Sequence, residues 1–231
     1  MNQLSRKAHS DLIENPSPRC ACVLVLDTSG SMSGGISSLF SSNSPISQLN
    51  SGLRLFIEAV KQDEIASYSV EICVISAGGM VKEILPFTSV AQIESVQELT
   101  ASGNTPLGQA VTLALTKIEE RKNEYKRNGV AYYQPWMVII SDGAPDGGWE
   151  SAAANARALS EQRKLVSLPI GVEGADMEIL SRFSSKPAKK LDGLKFREFF
   201  EWLSASMSRV SASNSTGQAV SLPSTDDWSS I

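Results

Sequence analysis

Asp27, Ser29 and Ser31 place an oxygen-bearing side chain at every second position directly after the uncharged run Val23-Leu24-Val25-Leu26, with Gly30 between the two serines. Hard cations such as Mg2+ take a shell of oxygen ligands and commonly keep some of their water. One carboxylate and two hydroxyls on a single turn supply a large part of such a shell. The same residue types also build ordinary turns and helix caps, so the motif alone leaves both readings open. Two later stretches bear on the choice. Ser102-Gly103-Asn104-Thr105-Pro106 brings a threonine to the start of a helix, and Val138-Ile139-Ile140-Ser141-Asp142-Gly143 is a second apolar run that ends in an acid.

These side chains need elements to carry them. A short aliphatic and β-branched run reads as a buried strand, and the chain alternates such runs with segments of helical spacing. Strands are expected near 20–26, 69–76, 80–87, 136–141, 165–171 and 188–191. Helices are expected from Ile46, with Leu49, Leu53, Phe56, Ile57 and Val60 on one face, and from Pro106, with Leu107, Ala110, Val111, Ala114, Leu115 and Ile118. Further helical stretches are expected near 91–98, 149–162 and 176–183, and a closing one displays Phe196, Phe199, Phe200, Leu203, Met207 and Val210. Pro106 suits a first helical turn, and Thr105 is placed as its N-cap. The fold class is α/β: a doubly wound, mostly parallel six-stranded sheet with helices on both faces. Its one antiparallel edge strand follows from Ala77-Gly78-Gly79, a connection too short for a parallel crossover. In such a sheet, strands flanking the switch point bring Asp27 and Asp142 into one crevice.

Asp27-x-Ser29-x-Ser31, then Thr105, then Asp142, resembles the metal-ion-dependent adhesion site of von Willebrand factor A domains. The similarity extends over roughly residues 15 to 210. Asn15-Pro16-Ser17-Pro18-Arg19-Cys20, Ala101-Ser102-Gly103-Asn104-Thr105-Pro106-Leu107-Gly108 and Ser141-Asp142-Gly143-Ala144-Pro145-Asp146 resemble the bacterial TerY-like, tellurium-resistance-associated branch. The resemblance implies a Mg2+ site, with Mn2+ or Ca2+ as alternatives. Ser29 and Ser31 would bind the metal directly, Asp27 and Asp142 chiefly through water, and Thr105 would alternate between the two modes. It also implies a protein partner that offers an Asp or Glu to the metal. In the TerY-like branch it implies a setting of tellurite or other stress, or defence, with a Ser/Thr kinase and a PP2C-type phosphatase as company. The chain departs from the family in one place: the connection after the motif, residues 33–45, is enlarged, Ser- and Gly-rich, and carries Ile36, Leu39 and Phe40 to the rim of the site. Asp146 has no role in the motif and reads as a turn residue or an outer acid.

The 231 residues fit one domain with tails: an N-terminal arm over 1–19, the A-type domain over 20–210 and a Ser-rich C-terminal tail over 211–231. Hydrophobic content of 42%, charged content of 20% and a net charge of −4 match a globular protein and give no basic footprint for nucleic acid. No segment reaches membrane-spanning length, and the N-terminus lacks an apolar signal core. Cys20, Cys22 and Cys73 are an odd number, too few for a zinc framework even with His9. They read as small buried residues of a reducing compartment, so the cytoplasm is expected. Catalysis is not: the lone histidine lies in the N-terminal arm, no phosphate-cradling Gly-Lys-Ser/Thr loop is present, and no general base stands out. A non-enzymatic, metal-dependent protein-binding module is therefore the leading reading. The alternatives are a metal-dependent phosphoester hydrolase and a scaffold whose metal site is vestigial.

Overall fold

The computed structural model describes residues 15–34, 44–143, 145–213, 215–217 and 219–230. Most of the N-terminal arm and residues 35–43 of the enlarged loop, with Ile36, Leu39 and Phe40, lie outside the described residues. Strands β1 (Cys20–Asp27), β2 (Val70–Gly78), β3 (Met80–Ser89), β4 (Trp136–Ser141), β5 (Val166–Gly171) and β6 (Lys189–Leu191) form the expected six-stranded mixed sheet in the order β3-β2-β1-β4-β5-β6. All pair in parallel except β3, which returns antiparallel on β2. A two-residue strand, β7 (Ser229–Ser230), adds antiparallel to β6 at the opposite edge.

Every residue of β1 is buried, because helices cover both faces of the sheet. Cys20, Cys22, Leu24 and Leu26 face α1 (Pro45–Gln62) and α6 (Phe196–Ser211), in a layer holding Leu53, Phe56, Phe199 and Phe200. The alternate residues Ala21, Val23 and Val25 face α3 (Leu107–Arg127) and α4 (Glu150–Glu161), where Val111, Ala114, Ala152 and Ala156 pack. This is the two-residue period of a strand buried on both sides. The three cysteines are free and buried, as expected. Burial, reinforced by the Glu71 carboxylate, pushes the Cys20 thiol up to about 12.

Two local expectations are corrected. Residues 91–98 do not form a helix. A single 3-10 turn, Val90–Gln92, is followed by extended chain, which Asn50 holds by donating from Nδ2 to Leu99 O and accepting from Leu99 N, both at 2.9 Å. A buried side-chain amide satisfies both main-chain groups of one residue, in place of helical bonds. Thr105 does not cap α3. Pro106 occupies the cap position and no side chain caps the helix. Between α1 and β2 a short helix, α2 (Glu64–Ser69), also forms; the Asp63 carboxylate caps it by accepting from Ile65 N and Ala66 N at 3.0 and 2.9 Å. A fifth helix, α5 (Met177–Ser181), follows β5 and is capped by Asp176.

At the end of the sheet away from Asp27, Glu71 is fully buried and receives Arg121 Nε and Nη2, each at 2.7 Å, together with the Tyr125 hydroxyl. Arg19, also fully buried, stands 3.4 Å from the same carboxylate. This cluster anchors the last turns of α3 to β1 and β2.

Candidate metal centre

The site lies at the carboxyl ends of β1 and β4, the adjacent strands at the switch point of the sheet. Register sets Leu26 opposite Ile140, so the next residues, Asp27 and Ser141, come side by side. Asp27 is fully buried and held at both oxygens. Oδ1 accepts from Ser29 N at 2.9 Å, and Oδ2 accepts from Ser141 Oγ at 2.6 Å. The chain then turns through a 3-10 helix, Gly30–Ser33. That turn brings Ser31 Oγ to 2.8 Å from Ser29 Oγ, and Ser31 donates to Asp142 Oδ1 at 2.8 Å. Asp27, Ser29, Ser31 and Asp142 are thus gathered in one crevice, linked by hydrogen bonds.

Thr105 is buried beside them and joined through the backbone. Its loop is laced to the β1 loop by Ser102 N to Thr28 O at 2.8 Å and Gly30 N to Gly103 O at 2.9 Å. On its other flank Gly79 N donates to Asn104 O at 2.9 Å. The loop closes this tightly because Gly103 and Gly79 touch. A Cβ on Gly103 would fall 2.5 Å from the Gly79 Cα, and Gly103 itself has φ +70°; both conditions exclude a side chain.

Burial raises the Asp142 pKa above the ordinary carboxylate value, and the Asp27 charge adds to the rise, against the lowering effect of the Ser31 hydrogen bond. Among the described residues neither Asp27 nor Asp142 has an ion-pair partner, so the crevice concentrates negative charge without a fixed cation. The donors are two carboxylates and neighbouring hydroxyls, all oxygen, the set that suits Mg2+, Mn2+ or Ca2+ better than softer metals. Among the described residues no group of three or more His, Cys, Asp or Glu side chains could hold a metal; any metal here must therefore use the hydroxyls. The residues fit a hard cation.

Sequence reasoning missed Ser141, which orients Asp27, and it read Asp146 only as a turn residue or an outer acid, without a partner. Asp146 N donates to Thr105 O at 2.9 Å, and its carboxylate accepts from Asn104 Nδ2. The signal for Ser141 was present only as a hydroxyl in the last position of an apolar strand. The loop after β5 closes the far side: Val172 N donates to Ser141 O at 2.8 Å.

The family model for the von Willebrand factor type A domain matches residues 22–200. No curated protein matches the sequence. Among solved structures, the chain is similar to a von Willebrand factor type A protein from Catenulispora acidiphila at 13% identity and a TM-score of 0.56, covering 83% of this chain and 43% of that one. It is similar to the ArnB paralog VWA2 from Sulfolobus acidocaldarius at 17% identity and a TM-score of 0.54, covering 82% and 45%. Proximal thread matrix protein 1 from the mussel byssus, solved with a zinc-occupied MIDAS motif, matches at 14% identity and a TM-score of 0.54, covering 82% and 46%. The chain spans less than half the length of each of these three structures.

Proposed function

The chain belongs to the von Willebrand factor type A domain family, and from that premise we propose that it is a metal-dependent protein-binding module rather than an enzyme. Ser29 and Ser31 would hold the cation directly through their hydroxyls, Asp27 and Asp142 would act chiefly through water, and Thr105 would alternate between the two modes. The observation that carries this reading is the continuous Ser29–Ser31–Asp142 hydrogen-bonded run beside an Asp27 fixed at both oxygens. Few formal charges would lie next to the metal, which leaves it receptive to an acid from outside. The bound cation supplies Lewis acidity toward that acid; the chain supplies orientation, burial and the carboxylate field. Mg2+ is the metal of choice, with Mn2+ or Ca2+ able to use the same oxygens. The zinc-occupied motif of the mussel protein supports a divalent ion at a site of this architecture.

The partner is a protein presenting an Asp or Glu. We place the module in the cytoplasm, in a TerY-like stress, tellurite-resistance or defence system with a kinase and a PP2C-type phosphatase. Its three free, buried cysteines suit a reducing compartment, and none of the described helices is long and apolar enough to cross a membrane. The test is capture of the candidate kinase and phosphatase by the full chain in Mg2+ or in chelator, for wild type and Ser29→Ala. Binding that requires both the metal and Ser29 supports the reading. Binding indifferent to chelator and to Ser29→Ala would instead indicate a scaffold with a vestigial site.

A further inference from the structure

We propose that Asn104 and Asp146 form a latch that positions Thr105 against the hydroxyl–carboxylate crevice, tying the threonine loop to the loop that follows Asp142. The inference rests on reading that crevice as a metal site, and it gives Asp146 a role that the adhesion motif does not. Thr105 needs such a support because it is not fixed as a helix cap: the next residue is Pro106, and α3 begins without a side-chain cap. Ser102 and Gly103 are held from the β1 loop, and Asn104 O from Gly79. Thr105 is held from the β4 side, where Asp146 makes two contacts on successive residues. Its N–H donates to Thr105 O at 2.9 Å, and its carboxylate accepts from Asn104 Nδ2.

The loop of Asp146 is itself seated on α3. A Cβ on Gly108 would stand 2.6 Å from the Trp149 Cα, so the first turn of α3 and the entry to α4 are in direct backbone contact. Trp149 in turn packs its ring on Phe183, with centroids 6.0 Å apart. The latch therefore joins two loops whose far ends are both fixed. It spans the switch point at the surface, Asn104 being exposed, and links the β1–β4 crevice to the α3 N-terminus. Outer residues that orient metal ligands in this way commonly govern affinity without touching the metal.

The carboxylate could act through its charge or through its hydrogen bond, and the two are separable. Asparagine at position 146 keeps an oxygen to accept from Asn104 Nδ2 and keeps the backbone N–H, but carries no charge. Mg2+ titration by calorimetry and hydrogen exchange of residues 102–107 are to be measured on Asn104→Ala, Asp146→Ala, Asp146→Asn and the double alanine variant. Each single alanine variant should bind Mg2+ ~10-fold more weakly and exchange faster over 102–107. The double variant should bind no more weakly than either single one, because all three remove one contact. Asp146→Asn should keep wild-type affinity. Equal loss in Asp146→Asn and Asp146→Ala would overturn the latch in favour of charge, and unchanged affinity and exchange in the alanine variants would overturn it outright. Should the wild type bind no Mg2+, the metal reading fails separately. Exchange over 102–107 then decides the latch alone: faster in the alanine variants supports it, unchanged refutes it.

Discussion

Asp142 is held in a crevice that disfavours its charge, by burial first and by Asp27 second. For an acid whose folded pKa lies above its unfolded value, the folded state binds the proton more tightly. The metal-free protein therefore gains stability from this group as pH falls from the raised folded value toward the unfolded one, and lacks that gain at neutral pH. Asp142→Asn removes the charge while keeping an oxygen to accept from Ser31. In chelator at neutral pH it should melt above the wild type, and the difference should shrink as pH is lowered through the raised value. Added Mg2+ should stabilise the wild type by about 2.7 kcal/mol at a hundredfold excess over Kd and leave the variant unchanged. Thermal melts across pH, with and without metal, check both halves. At this scale the meeting of Asp27, Ser29, Ser31 and Asp142 in one crevice was legible from an acid closing each of two apolar runs and from the alternate-residue spacing after the first. Ser141 escaped because only the pairing of β1 with β4, with Leu26 opposite Ile140, sets it against Asp27. The pairing of Asp146 with Asn104 escaped because their meeting depends on the folding of two loops far apart in sequence.

Elements with strong periodicity were readable close to their true bounds. β4 spans Trp136–Ser141 as expected, and the apolar stripes of α1 and α6 face the sheet. Elements held by single side chains were not. α2 depends on the Asp63 cap and on its place between α1 and β2, and the stretch after β3 is extended because Asn50 clamps Leu99. The Ser-rich C-terminal stretch is the plainest instance. Its composition resembles a linker, yet Trp228 is fully buried, edge-on to Phe199 at 4.9 Å and 5.3 Å from Trp202 between ring centroids. Trp202 Nε1 donates to Pro223 O at 3.0 Å, and Asp192 N to Trp228 O at 2.9 Å. One aromatic in a polar stretch carries no periodicity, so its partner surface on α6 was invisible from sequence. Trp228→Ala should cost about 3–5 kcal/mol, the usual cost of emptying a large aromatic site, read by urea denaturation. A loss under about 1 kcal/mol, within the range of ordinary surface substitutions, would contradict the view that this segment belongs to the folded body.

Across the molecule the sheet separates two kinds of polar cluster. At one end Arg19 and Arg121 converge in the interior on the Glu71 carboxylate, which also accepts from the Tyr125 hydroxyl. Removing one member of such a buried pair leaves an uncompensated charge, so this end is committed to structure. At the other end Asp27 and Asp142 share a crevice with hydroxyls and, among the described residues, no fixed cation. The doubly wound order was legible from the alternation of strands and helices, and it places the crevice where such sheets bind ligands. Whether this second cluster holds a divalent metal is tested most directly by calorimetric titration of Mg2+ and Mn2+ into wild type and Asp27→Ala. Saturable binding by the wild type, lost in an Asp27→Ala protein that remains folded, is the predicted result. Equal binding by both proteins, or none by the wild type, would contradict it.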